Sequence, residues 1–205
     1  MVNIIIKNNQ SHPAKKIKRN CAGFTLFEII VSVTLLVIIV ILVSDFYLIN
    51  QRAYNKNADI AELTQNSRVS LDRITRELRQ SADIITTLPP AENDINNPPA
   101  EQIFFQDGHN IDQITYLRYY LDGNELKREH KAFYFSGEPS TYVAYNSLDQ
   151  GGSAPLETIF EDQVVGEYFN NLKFWGSGGL INISLNLLKN INSLNIRSMV
   201  YSRNY

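Results

Sequence analysis

Twenty-one residues from Phe24 to Ser44, FTLFEIIVSVTLLVIIVILVS, carry one charge, at Glu28, and none at all from Ile29 to Val43. As a helix rising about 1.5 Å per residue, this run spans roughly 31 Å, the depth of a bilayer's hydrocarbon core. Any fold for this chain must therefore accommodate a membrane-length apolar segment near its amino end. A secretory signal would end in a small-residue cleavage site, whereas here Ser44 runs straight into Asp45, Phe46 and Tyr47.

What flanks the run sets its direction. Residues 1–22 contain Lys7, Lys15, Lys16, Lys18 and Arg19 and no acid. Positive charge beside a spanning helix stays in the cytoplasm, so the amino end is expected inside and the bulk of the chain outside the cytoplasmic membrane. A nucleic-acid-binding tail is the rival reading of five cations, but they stop where the apolar run begins. Cys21, the sole cysteine, precedes the run and so forms no lipidation box.

Glu28 is the anomaly, because a carboxylate in a spanning helix costs roughly 2.5–3.5 kcal/mol at the bilayer centre, and less near an end. It lies about one turn inside the run and is either a tolerated group reaching the head groups or a functional one. Gly23, Phe24, Thr25, Leu26 and Glu28, after a basic segment and at the head of an apolar helix, resemble the processing site of type IV prepilins and type II secretion pseudopilins. The resemblance implies cleavage by prepilin peptidase between Gly23 and Phe24, with methylation of the new Phe24 amine. It also implies that Glu28 pairs with the amine of a neighbouring subunit during filament assembly. Opposite charges attract far more strongly in a low-dielectric medium than in water, so a lone carboxylate there recruits an amine.

Cleavage after Gly23 leaves 205 − 23 = 182 residues, without cysteine, and shifts the formal charge from −2 to −2 − 5 = −7. An acidic exported domain argues against nucleic acid as a partner, since phosphate binding rests on clustered Lys and Arg. With no disulfide, such a domain must be held by its core.

Beyond Asp45 the pattern becomes amphipathic. Phe46, Ile49, Ala53, Ile60, Leu63, Leu71, Ile74 and Leu78 fall on one helical stripe, interrupted at Lys56 and Ser67. Asp72 with Arg76 and Arg73 with Glu77 are i,i+4 pairs on the other face. No Pro or Gly occurs between Phe24 and Pro89, which predicts one helix to about Asp83, roughly 90 Å long. Of it, 24–44 forms the membrane or filament-core part and 45–83 an amphipathic continuation. A coiled-coil dimer is the alternative use of the stripe.

Pro89, Pro90, Pro98 and Pro99 mark a loop, and 84–205 reads as a β-rich head. Strands are expected at 101–106, 114–121, 125–135, 168–176, 180–188 and 193–203, with a tight hairpin at Asp122 and Gly123. A short helix or turn is expected over Leu156–Val165. A long helix covered by an antiparallel sheet is α+β, here type IV pilin-like by resemblance. The order of a tyrosine-rich strand, Leu121 to Asn124, Leu126, Arg128, then Leu172 to Trp175 and a strand ending at Arg203 and Asn204 is similar to the J-type minor pseudopilins and W-type minor pilins.

The sequence holds no phosphate loop, GxGxxG, HExxH, CxxC or GxSxG, and no cofactor, metal or catalytic residue is expected. His109 and His130 read as surface residues. Asp107, Asn110 and Asp112 offer oxygen ligands for calcium but not the spacing of a calcium loop. Gly176 to Gly179 reads as a hairpin loop ahead of an anion nest. The reading is a non-enzymatic minor subunit of a pilus-like or type II secretion filament, at its tip or in its initiation. Its expected partners are other pilin or pseudopilin subunits, prepilin peptidase, an inner-membrane assembly platform and membrane lipid. The rival is a signal-anchored extracytoplasmic binding domain or enzyme.

Overall fold

A computed structural model describes residues 23–109 and 113–203. The basic leader, Cys21, and the candidate ligands Asn110 and Asp112 lie outside the described residues. One helix, α1 (Leu26–Gln80), is followed by nine strands, an α+β architecture of pilin-like form. The chain divides into two compact units between Asn50 and Gln51.

In the first unit every described side chain is exposed. Its helix is long and apolar enough to cross a membrane, with a mean hydropathy of 3.1 over its best 18-residue window. The hydroxyls inside it are satisfied locally. Ser32 Oγ, Thr34 Oγ1 and Ser44 Oγ donate to the carbonyls of Glu28, Ile30 and Val40 at 2.7, 2.8 and 2.8 Å. Such back-bonding leaves no hydroxyl to be solvated by lipid.

In the second unit α1 buries Leu63, Ser67, Ser70, Ile74, Glu77 and Leu78. The apolar stripe thus holds from Leu63 onward, while Ala53 and Ile60 are exposed. Ser67, which reads in sequence as an interruption, belongs to the buried stripe. Small side chains at Ser67 and Ser70 let strands approach the helix, and a Cβ added to Gly166 would sit 2.6 Å from Ser70 Oγ. The stripe is occupied by the chain's own core, which leaves no coiled-coil seam between Leu63 and Leu78.

The helix stops at Gln80, short of Asp83. Ser81 donates both N–H and Oγ–H to Leu78 O at 3.3 and 2.8 Å, and Ala82 N donates to Gln106 O at 3.0 Å. The chain peels into β1 (Asp83–Ile84), which pairs antiparallel with β2 (Ile103–Gln106). Next come β3 (Tyr116–Asp122), β4 (Glu125–Phe135), β5 (Glu138–Val143) and β6 (Leu156–Gly166). β4 is the axis of this sheet: β3, and beyond its end β5, pair along one edge and β6 along the other. The β3–β4 turn has φ +60° at Gly123 only, the pattern of a type II′ hairpin.

Residues 156–165 are strand, not the short helix or turn expected. Thr158, Ile159, Val164 and Val165 are β-branched, and the partner strand lies some thirty residues back, beyond the reach of local propensity. β5 was also not expected. Pro139 lies on it, which an edge strand tolerates.

A second sheet is the meander β7 (Phe169–Ser177), β8 (Leu180–Lys189), β9 (Asn192–Tyr201). Its first turn has positive φ at both Gly178 and Gly179, the type I′ pattern, so a hairpin and not an anion nest occupies 176–179. Both sheets and α1 share one core. Leu63, Ile74 and Leu78 meet Phe105, Leu117, Tyr119 and Leu126 from the first sheet and Phe169, Phe174, Ile183 and Leu185 from the second. At about 1.5–3 kcal/mol per buried large apolar side chain, this core supplies the stability that no disulfide provides.

Two polar clamps tie α1 to the strands. Buried Glu77 accepts from Arg128 Nε at 3.1 Å and from Tyr119 Oη at 2.6 Å. Asp59 accepts from Asn190 Nδ2 and Asn192 Nδ2 at 2.9 and 3.1 Å, while Lys189 pairs with both Asp59 and Glu62. Glu77 also meets Arg73 at 3.4 Å, but the sequence-read i,i+4 pair is only the outer part of this buried network.

Candidate processing and assembly site

Thr25 is the first residue that organises the amino end. Leu26, Phe27 and Glu28 are the first three helical residues, so Thr25 is the N-cap and Glu28 the third position. Glu28 N donates to Thr25 Oγ1 at 3.3 Å, and Glu28 Oε2 accepts from Thr25 N at 2.9 Å and Thr25 Oγ1 at 3.0 Å. This reciprocal arrangement is a capping box: side chains satisfy N–H groups that the first helical turn leaves unpaired. Glu28 also places negative charge at the positive end of the helix dipole.

Glu28 is therefore not a lone carboxylate. Its local partner is Thr25, while Phe24 lies outside the helix, which removes a helical i,i+4 approach between Glu28 and Phe24. The signal in the sequence is Thr25-Leu26-Phe27-Glu28, the S/T-x-x-E pattern, which the charge on Glu28 by itself does not announce.

Gly23 and Phe24 precede the cap in non-helical backbone. A Cβ added at Gly23 would meet nothing within 4 Å, so the fold of this chain has no use for a glycine there. Phe24 is 83% exposed, and Leu26 and Phe27 are likewise exposed. The structure thus brings Gly23, Phe24 and Glu28 into one short accessible stretch at the head of an unburied apolar helix.

The other candidate residues stand apart. His109 is exposed, with Nδ1 2.5 Å from Asp107 Oδ1. His130 is not a surface residue. It is half-buried on β4 with its ring 5.2 Å from that of Phe160, and burial, then the Arg128 charge, lowers its pKa. Among the described residues no group of three or more His, Cys, Asp or Glu side chains is placed to hold a metal.

A family model described as the prokaryotic N-terminal methylation motif matches residues 18–44. That match spans the cap, Gly23, Phe24, Glu28 and the apolar run, and it supports a type IV pilin or pseudopilin-like, membrane-anchored protein. The motif family is structural, and the motif implies processing by prepilin peptidase and assembly with other pilins in general. A search of curated proteins found no match to the chain.

Proposed function

We propose that this chain is a structural subunit of a type IV pilus-like or type II secretion filament, cut between Gly23 and Phe24 and methylated at Phe24. The observation that carries the reading is the coincidence of three features in six residues. A glycine that the fold does not need and an exposed Phe24 stand directly before a capped helix whose apolar surface no part of its own unit covers. The basic leader holds the amino end inside the cytoplasmic membrane, the head lies outside, and Glu28 serves assembly once the leader is gone. A head of nine strands in two sheets favours a minor subunit at the tip or in initiation, delivered through an inner-membrane assembly platform.

Intact-mass analysis of the chain from hosts with and without prepilin peptidase tests this. The expected product starts at Phe24 and carries one added methyl group, only where the peptidase is present. Gly23→Val is expected to remain uncut. A mature amino terminus elsewhere, or identical masses from both hosts, refutes the assignment.

A further inference from the structure

Charge in the described chain is sorted by element. Arg52, Lys56, Arg68 and Arg79 on α1 make no ion pair among the described residues, and Arg76 meets Asp72 only at 3.9 Å with both side chains mostly exposed. On the strands and turns the reverse holds. There Arg118, Lys127, Arg128, Lys131, Lys189 and Arg197 are paired, while Glu101, Glu125 and Glu167 are among the described carboxylates that make no ion pair.

The α1 cations form a ridge. Arg68, Asp72, Arg76 and Arg79 follow at spacings of four, four and three, on the side of the helix opposite the buried Leu63, Ser67, Ser70 and Ile74. The ridge is solvent-facing, carries a net charge of +2 and is flanked by Val69, itself 57% exposed.

The acidic counterpart is a corner of the first sheet. Asp122 and Glu125 face each other across the β3–β4 turn, and the next register pair, Leu126 with Gly166, brings Glu167 alongside. Phe169 N donates to Asn124 O at 2.9 Å and closes the corner. Lys127, 2.6 Å from Asp122, is its cation, which leaves a net charge of −2.

We propose that the arginine ridge of α1 docks against this acidic corner on a second copy of the chain. The two patches are matched in net charge and lie on different elements, α1 and the β3–β4 corner, so a contact between them on two copies is heterologous and extends instead of closing into a dimer. Exposed ion pairs are individually weak and salt-screened, so the ridge selects partner and register, not raw affinity. The inference rests on the reading as a filament subunit, and it favours an initiating role over a sole copy at a tip.

Disulfide capture on the full-length chain in native membranes tests it, in a Cys21→Ser background that is free of cysteine. Two differently tagged copies are co-expressed, one with Val69→Cys and one with Asn124→Cys. The cross-linked heterodimer is expected to form at least about tenfold faster than either homodimer, and to slow when Arg68→Glu, Arg76→Glu and Arg79→Glu are added to the Val69→Cys copy. Adding Glu125→Arg and Glu167→Arg to the other copy is expected to restore it. Equal homodimer and heterodimer rates, failure of the double reversal to rescue, or a ridge that binds anionic lipid vesicles without heterodimer capture would each overturn the inference. Thermal melting of each variant reports that the head remains folded. Capture failing in a chain still cut at Gly23 refutes only the docking, whereas loss of cutting refutes the filament reading.

Discussion

Glu77→Gln is the sharpest test of how α1 is held to its sheet. Glu77 and Arg128 side chains are only 8% and 11% exposed, and the carboxylate accepts from Arg128, Tyr119 and Arg73. Glutamine keeps the size and one acceptor but removes the charge, leaving Arg128 with only Glu161, at 2.7 Å and half exposed. Removing one partner of a buried pair costs about 3–5 kcal/mol, and the surviving Glu161 contact places this case near about 3 kcal/mol. For a domain of this size that is roughly 6–12 °C in thermal midpoint. The assay is a circular-dichroism melt of the full chain in detergent. Tyr119 stays a donor across neutral pH, because burial, then the Glu77 charge, pushes its hydroxyl pKa far up, so the loss should be the same at pH 6 and pH 9. Replacing both Glu77 and Arg128 with Met should cost less than the two single changes together. A midpoint lowered by less than about 2 °C in Glu77→Gln would mean that solvent and Glu161 alone hold Arg128, and the buried-network argument would fail.

Gly166→Ala places a Cβ 2.6 Å from Ser70 Oγ and 2.9 Å from Phe169 Cε2, and is expected to cost about 1–3 kcal/mol in urea unfolding. Adding Ser70→Ala should recover part of that loss, and no recovery would refute the close-approach argument. The Asp59 and Glu62 clamp is acid-sensitive. Hydrogen bonds from Asn190 to Asp59 and from Lys189 to Glu62 lead the causes that hold both carboxyls below their ordinary values. Their contribution is complete above the unfolded carboxylate range near pH 4 and fades as pH falls through the lower folded values. The protection factor for hydrogen exchange in the β8–β9 turn, with the intrinsic amide rate at each pH divided out, should fall below about pH 4 and hold steady from pH 5 to 8, and a loss already at pH 6 would exclude these carboxylates as the cause.

The features legible in sequence are those with a local cause. An uncharged run and the absence of Pro and Gly up to Pro89 specify the helix, and Gly123 and Gly178-Gly179 specify two hairpins, the first with its turn at Gly123-Asn124, one residue beyond the Asp122-Gly123 step expected. β6 was missed because its pairing with β4 is set by partners some thirty residues away and by Glu157 and Glu161 reaching Lys131 and Arg128. The helix end was overrun by a few residues because Ala82 N bonds to Gln106, a partner that no local pattern announces. Ser67 and Ser70 look like gaps in an apolar stripe until Gly166 and the strand around it are placed against them. At the amino end Gly23, Phe24 and Glu28 were readable as a group. The cap that Thr25 forms with Glu28 is legible there too, but in the spacing of the two residues and not in the charge.

That cap changes what Glu28 can be asked to do. Its Oε2 is engaged by Thr25 N and Oγ1, so the carboxylate stands at the head of the apolar segment already partly satisfied. Thr25→Val keeps the shape and the N–H donor but removes the hydroxyl, which costs the helix start about 1 kcal/mol. Glu28→Gln keeps an acceptor for that same N–H and hydroxyl and removes only the charge. If the carboxylate's work is to cap the helix, the Gln variant should behave as wild type and Thr25→Val should be the more damaging of the two. If it meets a neighbouring subunit's amine, the order inverts, because only the charge attracts an ammonium group in a low-dielectric surrounding. We expect the inverted order, with both variants cut after Gly23 and the Gln variant depleted in sheared filaments relative to membranes. Equal incorporation of the Gln variant would leave Glu28 as a cap alone.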